Sequence, residues 1–135
     1  MKQVFDTDST LYQALSASTE LAALITGGIY VGDRPDDSDK EDITINTLTL
    51  QQDAFPQSGV VNVNIHVKDL DVNIEGRPQK KADNVRLKAV SALVLSVIRA
   101  YNTGDIKFAL QNQTTFQNPE ISQHYVNLRI DCIIH

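Results

Sequence analysis

The spacing of apolar residues changes period several times along this chain, and each change marks a predicted element. Leu11, Ala14 and Leu15 recur at helical intervals behind Asp8, Ser9 and Thr10, whose side chains suit an N-cap, so a first helix is predicted to start there. Ser18-Thr19-Glu20 repeats the capping signal ahead of Leu21, Ala22, Leu24 and Ile25. The helix therefore continues or breaks into two pieces before Gly27-Gly28, read as a helix stop and tight turn. Ile29-Tyr30-Val31 reads as a short strand. In the next strand, Ile43 to Leu50, the apolar residues switch parity: Ile43 and Ile45 share one face, Leu48 and Leu50 the other. A β-bulge near Asn46-Thr47 reconciles them. Val61, Val63, Ile65 and Val67 then alternate with Val60, Asn62, Asn64 and His66, the pattern of a strand with one buried face.

The segment from Asp69 to Pro78 reads as a turn or loop, because Gly76-Arg77-Pro78 interrupts the apolar Val72 and Ile74. Leu87, Val90, Val94, Ile98 and Tyr101, widened by Leu93 and Val97, predict a long helix over Lys80 to Tyr101, stopped by Asn102-Thr103-Gly104. Ile106, Phe108 and Leu110 alternate as a strand; after a turn at Asn118-Pro119, Val126, Leu128, Ile130, Cys132 and Ile134 alternate again. The order helix, strand, strand, strand, helix, strand, strand contains no repeated βα unit. It predicts an α+β fold: a mostly antiparallel sheet of four to five strands with two helices packed on one face. At 135 residues, 41% of them hydrophobic, the chain is expected to be a single domain with a substantial core. Residues 33–42 read as an exposed acidic loop and residues 51–59 as a polar loop.

Charge narrows the function. Seventeen acidic residues against twelve basic ones give a net charge of −5, the wrong sign for a domain whose affinity comes from neutralising phosphates. One cysteine permits no internal disulfide and no multi-thiolate zinc site. The first residues, with Asp6 and Asp8, lack the apolar stretch of an export signal. The most apolar run, Ala89 to Ile98, is about half of the roughly 20 residues that span hydrocarbon, so no membrane contact is expected.

Each candidate for chemistry has a plainer structural reading. Gly27-Gly28-Ile29-Tyr30-Val31-Gly32 is followed by Asp33 instead of the Lys and Ser or Thr of a phosphate loop. Asp36-Asp37-Ser38-Asp39-Lys40-Glu41-Asp42 lacks the glycine and spacing of a calcium loop. His66, His124 and His135 stand on separate segments without metal-ligand spacing, and Cys132 falls among inward-facing residues as an inert thiol. No catalytic signature is present, so no enzyme activity, cofactor or metal is expected. The open sheet face keeps some apolar and aromatic character, with Tyr125 and Ile133 beside Asn127, Arg129 and Asp131, and Val60 beside His66. Such residues are either ordinary surface or partly covered by a neighbouring subunit.

Glu20-Leu21-Ala22-Ala23-Leu24, running into Gly28-Ile29-Tyr30-Val31-Gly32-Asp33-Arg34-Pro35, resembles the opening of the small tail-completion and tail-terminator-like proteins of long-tailed bacteriophages and prophages. Arg86-Leu87-Lys88-Ala89-Val90 and the closing His124-Tyr125-Val126-Asn127-Leu128-Arg129-Ile130-Asp131 are similar to that family's second helix and last strand. The resemblance implies an α+β subunit that forms a ring, commonly a hexamer, at the head-proximal end of the tail tube. There it would stop tube growth and meet the head connector. The partners implied are copies of itself, the tail tube protein and the head-tail connector protein, with DNA only passing through the channel. The implied location is the host bacterial cytoplasm during assembly and the tail or neck of the virion afterwards. The matching positions are core and turn positions, so the resemblance assigns no single functional residue.

The acidic loop and the polar 51–59 segment depart from compact family members. A ring also needs a head-to-tail surface, and the residues expected to serve it are Arg34, Asp36, Asp37, Asp39 and Glu41 on the loop, with Tyr125 and Arg129 on the open face. Alternatives are another head-tail connector or minor virion or injection-apparatus component, and a nucleic-acid-binding α+β module. The last would use Lys80, Lys81, Arg86 and Lys88 as a basic end of the second helix.

Overall fold

The computed structural model describes residues 1–101 and 104–135. Asn102 and Thr103, part of the predicted stop of the second helix, lie outside the described residues. Two helices open the chain, α1 (Val4–Ser16) and α2 (Thr19–Leu24), followed by strands β1 (Ile29–Val31), β2 (Asp42–Leu50) and β3 (Gln57–Lys68). A hairpin of β4 (Leu70–Ile74) and β5 (Arg77–Lys81) precedes helix α3 (Asn84–Ala100). Strands β6 (Ile106–Asn118) and β7 (Gln123–Ile134) close the chain around a single 3-10 turn at Pro119–Ile121. The fold is α+β. Its main sheet has five strands in the order β1-β2-β3-β7-β6, antiparallel except for β1, which runs parallel to β2.

The alternating strands read from the sequence form the centre of this sheet. Val61, Val63 and Ile65 on β3 and Leu128, Ile130 and Cys132 on β7 are fully buried under the helices. Leu11 and Leu15 of α1 and Val90 and Val94 of α3 close the core from that side. The bulge in β2 lies between Thr47 and Thr49, slightly beyond the predicted Asn46-Thr47, and returns Leu50 to the buried face.

Four boundaries differ from the sequence expectation, each for a local reason. Helix α1 begins at Val4, not behind Asp8, and Gln3 with Asp6 forms its capping box. Asp8 lies inside the helix, buried, where its carboxylate accepts the backbone N–H of Thr47 at 2.7 Å and the Thr47 hydroxyl at 2.6 Å. Helix α3 starts at Asn84 with Asp83 as its cap, so Lys80 and Lys81 belong to β5, and the predicted loop from Asp69 to Pro78 is mostly hairpin. Glu75 and Gly76, both at positive φ, form the two-residue turn that makes this hairpin possible. Strand β6 continues past Leu110 through Gln111–Gln117, polar except for Phe116, because β7 offers paired backbone along that length. Finally, Gly27 and Gly28 follow the end of α2 and neither adopts positive φ. A Cβ on Gly27 would lie 1.9 Å from the Asp42 carboxylate and 2.6 Å from the Glu41 carbonyl, so glycine is required there by close approach.

Candidate interaction surfaces

Parallel pairing of β1 with β2 forces the intervening chain to run back from the end of one strand to the start of the next. Residues 33–41 make that return, held by a buried polar network. Arg34 reaches Asp42 Oδ2 at 3.2 Å and also donates to the Gln123 side-chain oxygen. The Ser38 hydroxyl donates to the same Asp42 oxygen at 2.6 Å, and the Gln123 amide donates to the Ser38 carbonyl at 2.6 Å. A second clamp joins Glu41 to Arg86 through two contacts of 2.7 and 2.5 Å, while Arg86 also donates to the Leu24 carbonyl at 2.8 Å. The Glu41 carboxylate holds the Arg86 guanidinium above its ordinary pKa.

The acidic run therefore divides in two. Asp36, Asp37 and Asp39 are exposed with Lys40, whereas Glu41 and Asp42 are buried, which corrects the reading of 33–42 as exposed throughout. Arg34 and Glu41, two of the residues expected at an interface, are turned inward and bind the loop to the domain.

On the open face, three strands bring aromatic rings into a row. His66 on β3 and Tyr125 on β7 have ring centroids 5.3 Å apart, and Tyr125 stacks on Phe116 of β6 at 5.2 Å. Asn127 donates to Asn64 at 2.7 Å beside them. Arg129, half-buried, follows on the same face and has no ion-pair partner among the described residues. His66 is the electrostatic outlier: burial above all, then the nearby Arg34 cation, lowers its pKa from an ordinary 6.5 to about 4, against an opposing pull from Asp42. Its imidazole hydrogen-bonds the Thr44 hydroxyl at 3.3 Å. Phe116 was not visible as part of this row from the sequence, because the polar residues around it concealed the strand.

The cations suggested for a basic helix end are dispersed. Lys80 and Lys81 lie on the hairpin, Arg86 is held by Glu41, and Lys88 alone is exposed on α3. Among the described residues no three His, Cys, Asp or Glu are grouped to hold a metal, and no helix is long and apolar enough to cross a membrane. Cys132 is fully buried, and burial followed by the charge of Asp131 pushes its thiol pKa up. What the site offers is contact surface: a stacked aromatic row, exposed carboxylates, an unpaired outer edge on β6 and a protruding hairpin.

The comparison with known proteins rests on the fold. Compared with models of protein families, the chain matches none. Nor does any curated protein match it. Among solved structures, it is similar to a chain of the virion of a native gene transfer agent particle, with a TM-score of 0.66 over 99% of this chain and 98% of that one. The two sequences are 14% identical, so what they share is the fold.

Proposed function

We propose that this chain is a structural component of a phage-like particle, acting by docking and carrying out no reaction. The observation that supports this is the end-to-end likeness to a chain of a gene transfer agent virion, in which neither protein has a large unmatched segment. Within that class we assign it to tail completion or tail termination: a ring of subunits, commonly a hexamer, that caps the tail tube and joins it to the head connector. The sequence resemblance supports the finer assignment. So does a surface with exposed Asp36, Asp37 and Asp39, which would let a DNA backbone pass without sticking. Assembly would take place in the host cytoplasm, and the finished subunit would remain at the neck of the particle. The same likeness favours, as the second reading, another head-tail connector or minor virion component.

Deleting the gene in the producing genome tests the assignment. Electron microscopy of the resulting lysate is expected to show heads separate from tails, or tails of uncontrolled length, with joined particles restored by complementation. Normal numbers of joined, infectious or transferring particles without the protein would overturn it.

A further inference from the structure

We propose that the β4–β5 hairpin is an assembly arm that enters an apolar, acid-rimmed cleft at the opposite end of the sheet on a second copy of this chain. The inference deepens the proposed assembly role and rests on it.

The arm is unfinished as a free surface. Its two strands pack chiefly on each other, and an isolated two-stranded hairpin is marginal in water. Alternation puts Leu70, Val72 and Ile74 on one face, with Leu70 and Ile74 45% and 43% exposed. Their cross-strand neighbours on that face are Lys81, Gln79 and Arg77, so two cations stand across the strand from the apolar stripe, with Glu75 at the hairpin tip and Asp69 at its root as the nearest acids along the chain. On the other face Asp71 is paired with Lys80. Both roots are fixed. The Asp69 N–H donates to the Ser122 carbonyl at 3.0 Å, its carboxylate meets His124 at 2.5 Å, and Asp83 caps α3 by accepting from the Arg86 N–H at 3.2 Å. The arm is thus held at both roots with its apolar stripe partly exposed.

The complementary surface lies at the far end of the same strands. The arm leaves the sheet beyond Lys68, which pairs with Gln123; at the other end Gln57 pairs with Ile134, roughly 37 Å away at about 3.4 Å per residue. There a cleft of about 550 Å³ is lined by Met1, Phe55 and Ile134 and flanked by Asp6 and Asp105, with Lys2, Gln57 and His135 completing its wall. Phe55 is 80% exposed, the highest value among the large hydrophobic residues. An apolar stripe flanked by Arg77 and Lys81 fits an apolar floor flanked by Asp6 and Asp105. Two different patches at opposite ends make a heterologous contact, the kind that closes into a ring when its rotation permits.

The test uses the full chain and light scattering across a concentration series. Wild type is expected to assemble. An arm variant (Arg77→Glu with Lys81→Glu) and a cleft variant (Asp6→Lys with Asp105→Lys) are each expected to require about tenfold or more higher concentration. Their mixture should recover assembly with the two variants alternating, because an intact arm meets an intact cleft at one junction and a reversed arm meets a reversed cleft at the next, and a chain carrying all four changes should recover assembly alone. Because Asp6 also caps α1, Phe55→Ser supplies a cleft variant that leaves the cap in place, with circular dichroism confirming the fold of each. Assembly that survives both charge reversals overturns the contact while leaving a virion role standing. If, in addition, the arm variant alone loses salt-dependent retention of DNA, the arm belongs to nucleic acid instead. A wild-type chain that stays monomeric to about 1 mM also overturns the inference, and the virion role is then decided separately by the deletion phenotype.

Discussion

Asp8 shows how much a single side chain can do away from where its residue type points. Its position before an apolar run marks it as a cap, yet it lies within α1 and binds Thr47 on β2, 39 residues away in sequence. The bond has a purpose at the element it meets: the bulge beside Thr47 disturbs the ladder, and the carboxylate provides the backbone N–H with an acceptor. Asp8→Ala should leave that buried donor unpaired and cost about 1–3 kcal/mol, read as a lower urea midpoint with an unchanged slope. No local spacing in the sequence announces such a pairing. His66 leads to a prediction in pH. Its folded pKa of about 4 lies below the ordinary 6.5 because burial and Arg34 oppose the charged ring. The unfolded chain therefore takes up a proton first as pH falls. The stability present above pH 6.5 is lost between 6.5 and about 4, by up to about 3 kcal/mol. His66→Gln should flatten that interval relative to wild type in thermal melts at matched pH; an identical slope in both proteins would contradict the assignment.

At the scale of elements, legibility followed burial. Strands β3 and β7 were readable residue by residue because one face of each is buried along its length and the alternation is strict. The start of β6 at Ile106, Phe108 and Leu110 is legible, but its continuation through Gln111–Gln117 and the β4–β5 hairpin are not, for the opposite reason: neither face of Gln111–Gln117 is buried, and the hairpin's apolar stripe is only partly covered. The candidate surface was legible only as a region. The sequence marks the acidic loop, but it cannot say which carboxylates turn inward, since Arg34 bonds Asp42 on β2 together with Gln123 on β7, and the partner of Glu41 comes from α3. That division predicts two separable effects. Glu41→Gln should lower stability by about 1–3 kcal/mol, because it weakens the Arg86 clamp across three segments. Changing Asp36, Asp37 and Asp39 together to Asn should leave stability within about 0.5 kcal/mol while impairing head-tail joining in vitro. Full joining activity of that variant would remove the loop from the docking surface.

The whole molecule is asymmetric end to end. One end of the sheet carries a basic, apolar hairpin and the tethered acidic loop; the other carries an apolar cleft with carboxylates at its rim. The row of His66, Tyr125 and Phe116 crosses the open face at the hairpin end, two residues from the Lys68–Gln123 pair. The proposed assembly role would use these two ends for different neighbours. The most direct measurement is a cryo-electron microscopy reconstruction of particles from the producing cell, with the fitted chain sought at the junction of head and tail. Density for this fold is expected there, repeated around the channel axis as a ring. Purified, joined particles that contain no copy of it at that junction or elsewhere would contradict the claim.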